Sequence, residues 1–269
     1  MRKLFFLLFL PLCGITLAAP VRSMLGADGA EIVESDMPTA LDYVQDGLVC
    51  MFDGIENVDW GMHDSEATTW TDLVGGRTTT WLSDASNSLT WENGGLRRIG
   101  TKGITTTVPW LSNITTNQPL TVEVVIEDDS ATDTTSINSY YYFYGVGFRL
   151  GSMKGYPQFI NYTGSVFLIY WDVPNYGFMR HTFAFVGKGT PYSNGGNRKN
   201  MDMYKDGIRT NTNAPLTVST TNTISLFRAT RDWPDTRDTT IYAVRIYSRA
   251  LSDDEIAYNH FLDKVRFGL

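Results

Sequence analysis

TTIYAVRIYSRALSDDEIAYNHFL, residues 239–262, is the stretch whose reading decides the fold. Tyr242, Val244 and Ile246 alternate with Ile241, Ala243, Arg245 and Tyr247, the period of two that marks a strand. Both sets are largely apolar, so the strand is expected inside a sheet, covered on both faces. Ser252 follows as a helix N-cap, with Glu255 three residues on as its capping-box partner. Asp253 and Asp254 set negative charge at the positive end of that helix. Ile256, Tyr258, Phe261, Leu262 and Val265 supply the expected apolar stripe, with which the helix would lie against a sandwich.

Within this stretch VRIYSRALSDDEI, residues 244–256, resembles the closing signature of the laminin-G-like branch of the concanavalin A-like lectin/glucanase superfamily, usually RIYNRALSxxEI. The resemblance continues upstream at Asp46-Gly47-Leu48-Val49, at Asp53-Gly54 and at Trp70-Thr71-Asp72-Leu73-Val74-Gly75. It runs on through LTVEVVIE (120–127), MRHTFAFV (179–186) and MDMYKDGIR (201–209). Arg97 and Arg98 stand where the family places aromatics, a local departure. The resemblance covers about Asp42 to the C-terminus. It implies an all-β, concanavalin A-like jelly-roll sandwich of two antiparallel sheets with a short C-terminal helix.

Working outward, Asp42–Asp53 reads as the first strand and Asp53-Gly54 as the tight turn that ends it. Trp70 is expected to anchor the long loop that follows, its ring buried and its indole N–H satisfied at the edge. Short strands are expected at 78–82, 89–91, 96–101 and 104–108, with Asn93-Gly94-Gly95 as a turn. Leu120–Glu127 places Val122, Val124 and Ile126 on one face and Thr121, Glu123, Val125 and Glu127 on the other. Central strands follow between 140 and 171. The pair Asp206-Gly207 suits a two-residue hairpin turn between strands at 201–209. A dozen or more strands, Gly/Asn/Asp/Thr turns and no long helix read as a two-sheet sandwich. No internal repeat and no second domain are visible.

The chain opens MRKLFFLLFLPLCGITLAAP. A basic start, an apolar run from Leu4 to Leu12 and a small-residue exit read as a secretory signal peptide over 1–19, and the apolar run is short for a membrane span. Cys13 suggests a lipoprotein alternative, but Leu12 before it is not the small residue that motif needs. Residues 20–40 read as a linker and 41–269 as the domain; the protein is expected to be secreted or held at the cell surface. Without Arg2 and Lys3 the formal charge moves from −7 to −9, which argues against nucleic acid as a partner. After the leader only Cys50 remains, too few for an internal disulfide, and its apolar strand makes it a small buried hydrophobe. Fourteen Tyr, fourteen Phe and seven Trp suit strands. Asn113-Ile-Thr115 and Asn161-Tyr-Thr163 are glycosylation sequons.

No catalytic residues are assigned. Glucanases of the superfamily often carry Glu-x-Asp-x-(x)-Glu on one strand, and only Glu123 and Glu127 compare. They lie four apart, about 13 Å, beyond the ~5–5.5 Å of a retaining pair, and read as a solvent-facing pair. His63, His181 and His260 show no metal spacing. Calcium is the cofactor that the resemblance implies, with Asp53, Asn57, Asp59, Asp64, Asp72, Asp235 and Asp238 as oxygen ligands; the alternative reading is that they make turns. A carbohydrate site needs aromatic rings against sugar C–H faces with polar groups beside them. Trp171, Asn175, Tyr176, Arg231, Asp232 and Trp233 are the chosen set, with Trp60, Tyr156, Tyr192 and Asn194 further candidates. The expected function is a binding module for carbohydrate or a glycosylated partner, not an enzyme. A protein-binding adhesin and a polysaccharide hydrolase are the alternatives. The hydrolase would require facing acids in a cleft; the adhesin would require a broad apolar patch.

Overall fold

The protein is described by a computed structural model over residues 24–25, 31–32, 37–79, 89–98, 106–109, 118–128, 140–145, 148–153, 156–162, 166–170, 180–191, 199–216, 223–228 and 239–269. Residues up to Met37 form one unit and Pro38–Leu269 another. In the first, read above as an unpatterned linker, β1 (Met24–Leu25) and β2 (Glu31–Ile32) pair antiparallel.

The second unit is antiparallel throughout its described pairings. It carries β3 (Leu48–Asp53), β4 (Leu89–Glu92), β5 (Gly95–Arg98), β6 (Thr106–Pro109), β7 (Leu120–Asp128), β8 (Tyr140–Gly145), β9 (Phe148–Met153) and β10 (Tyr156–Tyr162). β11 (Val166–Tyr170), β12 (Arg180–Pro191), β13 (Lys199–Lys205), β14 (Ile208–Leu216), β15 (Thr223–Arg228), β16 (Thr239–Tyr247) and the helix α1 (Asp253–Phe267) follow. Among the described residues a six-stranded sheet runs β11-β10-β9-β8-β15-β6. An eight-stranded sheet runs β14-β13-β12-β7-β16-β5-β4, with β3 also on β16. This is the expected jelly-roll class, with a C-terminal helix.

β16 is buried at all nine positions, as its doubly apolar pattern predicts, but the face assignment changes along it. Ile241 opposes Ile126 and Ala243 opposes Val125, so Tyr242 is an extra residue in the ladder. That bulge places Tyr242 with Ala243, Arg245 and Tyr247 on the helix side, where its ring meets Phe267 at 5.7 Å. Ile241, Val244 and Ile246 share the opposite, sandwich-core face with Val122, Val124 and Phe52.

The first strand is shorter than its expected span. Thr39 caps a 3-10 turn over Ala40–Asp42 in a reciprocal box with Asp42, and the strand starts only at Leu48, after Gly47 at φ 77°. The two hairpin turns match their sequences. Asn93 and Gly94 (φ 52° and 78°) and Asp206 and Gly207 (φ 52° and 74°) supply the paired positive φ of a type I′ turn.

The helix caps as read: Ser252 accepts from the Glu255 N–H while the Glu255 carboxylate accepts from the Ser252 N–H. Gly268, left-handed, closes the far end on the Lys264 carbonyl. The buried stripe differs from the expected one. It is Ile256, Asn259, Leu262, Asp263, Arg266 and Phe267, while Tyr258 and Phe261 point outward at 47% and 58% exposure. The helix turns its polar residues inward because the strands beneath it present buried charge. Ser252→Ala should cost about 1 kcal/mol, read as a lower melting temperature. The hydrogen bond from Arg249 pulls the Glu255 carboxyl from 4.5 down to about 2. Its contribution is therefore present above the unfolded value and lost as pH falls from 4.5 toward about 2.

Candidate functional site

Three gatherings of side chains among the described residues bear on the expected sites. The first lies between α1 and the eight-stranded sheet. Arg245 of β16 donates through Nε to Glu123 Oε2 at 2.7 Å and in fork fashion to both oxygens of Asp263, at 2.8 and 2.7 Å. Asn259 donates to Glu123 Oε2 at 2.9 Å and to the Tyr247 hydroxyl at 3.0 Å. Tyr43 and Thr182 donate to Asp263 at 2.8 and 2.9 Å. The guanidinium also sits 4.1 Å from the centre of the Tyr43 ring. Burial pushes the Glu123 carboxyl up, with Arg245 pulling against it. Burial alone would lower Arg245, but Asp263 and Glu123 outweigh it and hold Arg245 well above its ordinary value.

This arrangement corrects the solvent-facing reading of Glu123 and Glu127. Glu123 is fully enclosed, and Glu127 pairs with Arg180 at 2.7 Å and accepts from the Tyr242 hydroxyl at 2.6 Å. An ion cluster closed to solvent under a helix fastens that helix; it offers no cleft to a polysaccharide.

The second place is the loop after β3. Arg266 of α1 reaches Asp53 Oδ1 at 2.8 Å, Glu56 Oε1 at 3.1 Å and the Pro38 carbonyl at 3.0 Å. Asp53 Oδ1 also accepts from the backbone N–H groups of Ile55 and Glu56, at 2.9 and 3.0 Å. Asp72 is paired with Arg77 and accepts from the N–H of Met51 at 2.8 Å. Asn57 exchanges two 2.8 Å bonds with the Asp64 backbone, and Asp59 accepts from the Trp60 N–H at 2.8 Å. Asp53, Asp59 and Asp64 each accept from backbone N–H groups of their own loop, the bonding of turn-forming residues. A guanidinium stands against Asp53 and another against Asp72, where a cation would be repelled. Among the described residues no three His, Cys, Asp or Glu side chains stand together to hold a metal, and Asp235 and Asp238 lie outside them.

The third place is open. At the outer edge of the eight-stranded sheet, β4 faces the loop segment 65–68 across a half-open groove of about 460 Å³. Ser65, Glu66, Ala67 and Thr68 line one side, Leu89, Thr90, Trp91 and Glu92 the other. Such a volume falls within the ~300–1,000 Å³ of small-molecule pockets. Trp91 is half-buried and donates its indole N–H to the Ala67 carbonyl at 2.8 Å, which fixes the ring. Behind it the aromatics continue into the core. Trp91 meets Trp70 edge-on at 5.3 Å, and Trp70 meets Phe52 at 5.6 Å. Trp70 is fully buried and donates to the Asp53 carbonyl at 3.0 Å, as its sequence context predicts. Glu92 accepts from Thr90 and from Arg97, each at 3.0 Å.

The residues selected from sequence for carbohydrate, Trp171, Asn175, Tyr176, Arg231, Asp232 and Trp233, lie outside the described residues, as do Tyr192 and Asn194. Trp60, a further candidate, packs half-buried against the cluster of Ala40, Tyr43, Met51, Leu73 and Leu262. Trp91 was read only as part of a short strand. The signal for it was available: Asn93-Gly94, two residues on, puts the ring near a strand end beside a turn.

No family model and no curated protein matches the chain. Solved structures of botulinum neurotoxins are similar to it. One, of type C, comes from work on cell entry dependent upon interaction with two ganglioside molecules (TM-score 0.60, 12% identity, 82% of this chain and 52% of that one). Another is the serotype D ligand binding domain in complex with N-acetylneuraminic acid (0.58, 14%, 80% and 51%). A third is the receptor binding domain of the C/D mosaic serotype (0.59, 14%, 81% and 52%). The chain spans about half the length of each. At these identities the likeness is one of fold: a β-sandwich.

Proposed function

We propose that the chain is a carbohydrate-binding module of laminin-G-like type, exported by its leader and acting outside the cell or at its surface, without catalytic activity of its own. The observation that carries the reading is the Trp91 groove. An indole held rigid by Ala67 offers a flat apolar surface to sugar C–H groups, and the hydroxyls of Ser65, Thr68 and Thr90 line the same space. Rigid aromatic area with a few polar groups is the chemistry a saccharide needs. The fold shared with toxin domains studied with gangliosides and N-acetylneuraminic acid lends support. Trp171, Asn175, Tyr176, Arg231, Asp232 and Trp233 remain proposed ligand-binding residues.

The test is a glycan-array screen of the protein with calcium and, in parallel, with EDTA. Binding in both is expected. Binding with calcium alone would support the calcium expected from sequence, with Asp59 and Asp238 the first ligands to replace. A silent array would overturn the reading. In that case a protein-facing role gains ground, favoured by Leu41, Tyr258 and Phe261, which are 60%, 47% and 58% exposed, the Tyr258 hydroxyl bonding the Asp42 carbonyl at 3.2 Å. For any sugar that binds, Trp91→Ala should weaken affinity about tenfold, measured by titration calorimetry, with Trp91→Phe recovering part of the loss.

A further inference from the structure

We infer that the Trp91 groove selects saccharides without acidic groups and prefers amino sugars; this rests on the carbohydrate reading above. The inference comes from the signs of the charges around the groove. Among the described residues its lining holds two carboxylates, Glu66 and Glu92, and no Lys, Arg or His. Glu66 is exposed, and its backbone N–H donates to Asp64 Oδ1 at 2.9 Å, which keeps a third carboxylate near this segment. Arg97, paired with Glu92 at 3.0 Å, stands across from Thr90 on the neighbouring strand and offsets part of that carboxylate's charge; Arg98, across from Leu89, is buried, and the exposed His63 ring lies 6.4 Å from that of Trp91. The chain as a whole is acidic, at −7, and adds to the same field.

Each like charge met at about 4 Å in a water-exposed site weakens binding by about fivefold. With Glu92 partly offset by Arg97, a sugar acid such as N-acetylneuraminic acid should bind about tenfold more weakly here than a neutral sugar. A protonated glucosamine should gain by a comparable factor through the same two carboxylates. The chemistry therefore points away from the sialic acid seen with the serotype D domain.

The experiment titrates the full chain with three probes of equal length: glucosamine oligomers, N-acetylglucosamine oligomers and an oligosaccharide ending in N-acetylneuraminic acid. Each is run at low salt and at about 1 M salt, where the screening length falls to about 3 Å. The expected order is glucosamine, then N-acetylglucosamine, then the sialylated probe, collapsing toward equality at high salt. Glu66→Gln, at an exposed position, should narrow the low-salt ratio between the first two. Sialylated binding equal to or tighter than neutral binding, with Trp91→Ala still weakening it, would overturn the selectivity and leave the carbohydrate reading standing. Binding of none of the three, together with a silent array, would overturn both.

Discussion

Arg245→Ala should destabilise the protein by about 3–5 kcal/mol, enough to remove a large share of the ~5–15 kcal/mol that holds a domain together. The loss does not come from a missing attraction alone. Glu123 and Asp263 are enclosed in the native fold, and without the guanidinium both charges stay in a medium that cannot solvate them. Asp263 would keep only Tyr43 and Thr182, and Glu123 only Asn259. Urea unfolding should show the midpoint falling with little change in slope. A triple variant, Arg245→Met with Glu123→Leu and Asp263→Leu, removes the charges together and should recover much of the loss, because buried ion clusters add little net stability over packed apolar groups. A single variant that unfolds at the native midpoint would show that α1 is not fastened through this cluster.

Trp70→Ala should cost a similar ~3–5 kcal/mol, the range for emptying a large aromatic from a core. Trp70 is the largest of the fully buried side chains among the described residues. Its ring is gripped edge-on by Phe52 and Trp91, and its N–H satisfies the Asp53 carbonyl. The substitution opens a cavity and leaves a buried acceptor unpaired. It should also loosen Trp91, so saccharide affinity should fall even in the fraction that remains folded. Trp70→Phe keeps much of the volume and loses only the donor; thermal unfolding of the two variants separates packing from the hydrogen bond.

What the sequence reveals here follows from how local each signal is. The Ser252 cap, the Asp206-Gly207 turn, the burial of Cys50 and the anchoring of Trp70 are set by a few neighbouring residues, and all stand in the structure as read. The underside of α1 was not read. An apolar stripe was expected through Tyr258 and Phe261, but the inward face carries Asn259, Asp263 and Arg266. Their spacing of four and three places them on one helix face with Ile256 and Leu262. Their partners, Glu123 and Arg245, lie on two strands far apart in the chain, and only the sheet register, Arg245 opposite Glu123, brings these charges together. The Tyr242 bulge is hidden for the same reason: an extra residue in a ladder shows only against its partner strand. The Trp91 groove needs β4 and the 65–68 segment side by side, which no local pattern predicts.

The most direct measurement of the central claim is hydrogen–deuterium exchange of the protein with and without the best saccharide from the array. Slowed exchange at residues 65–68 and 89–92 is the predicted result. Slowed exchange confined to 171–176 and 231–233, with the Trp91 groove unchanged, would contradict it and move the site to those residues.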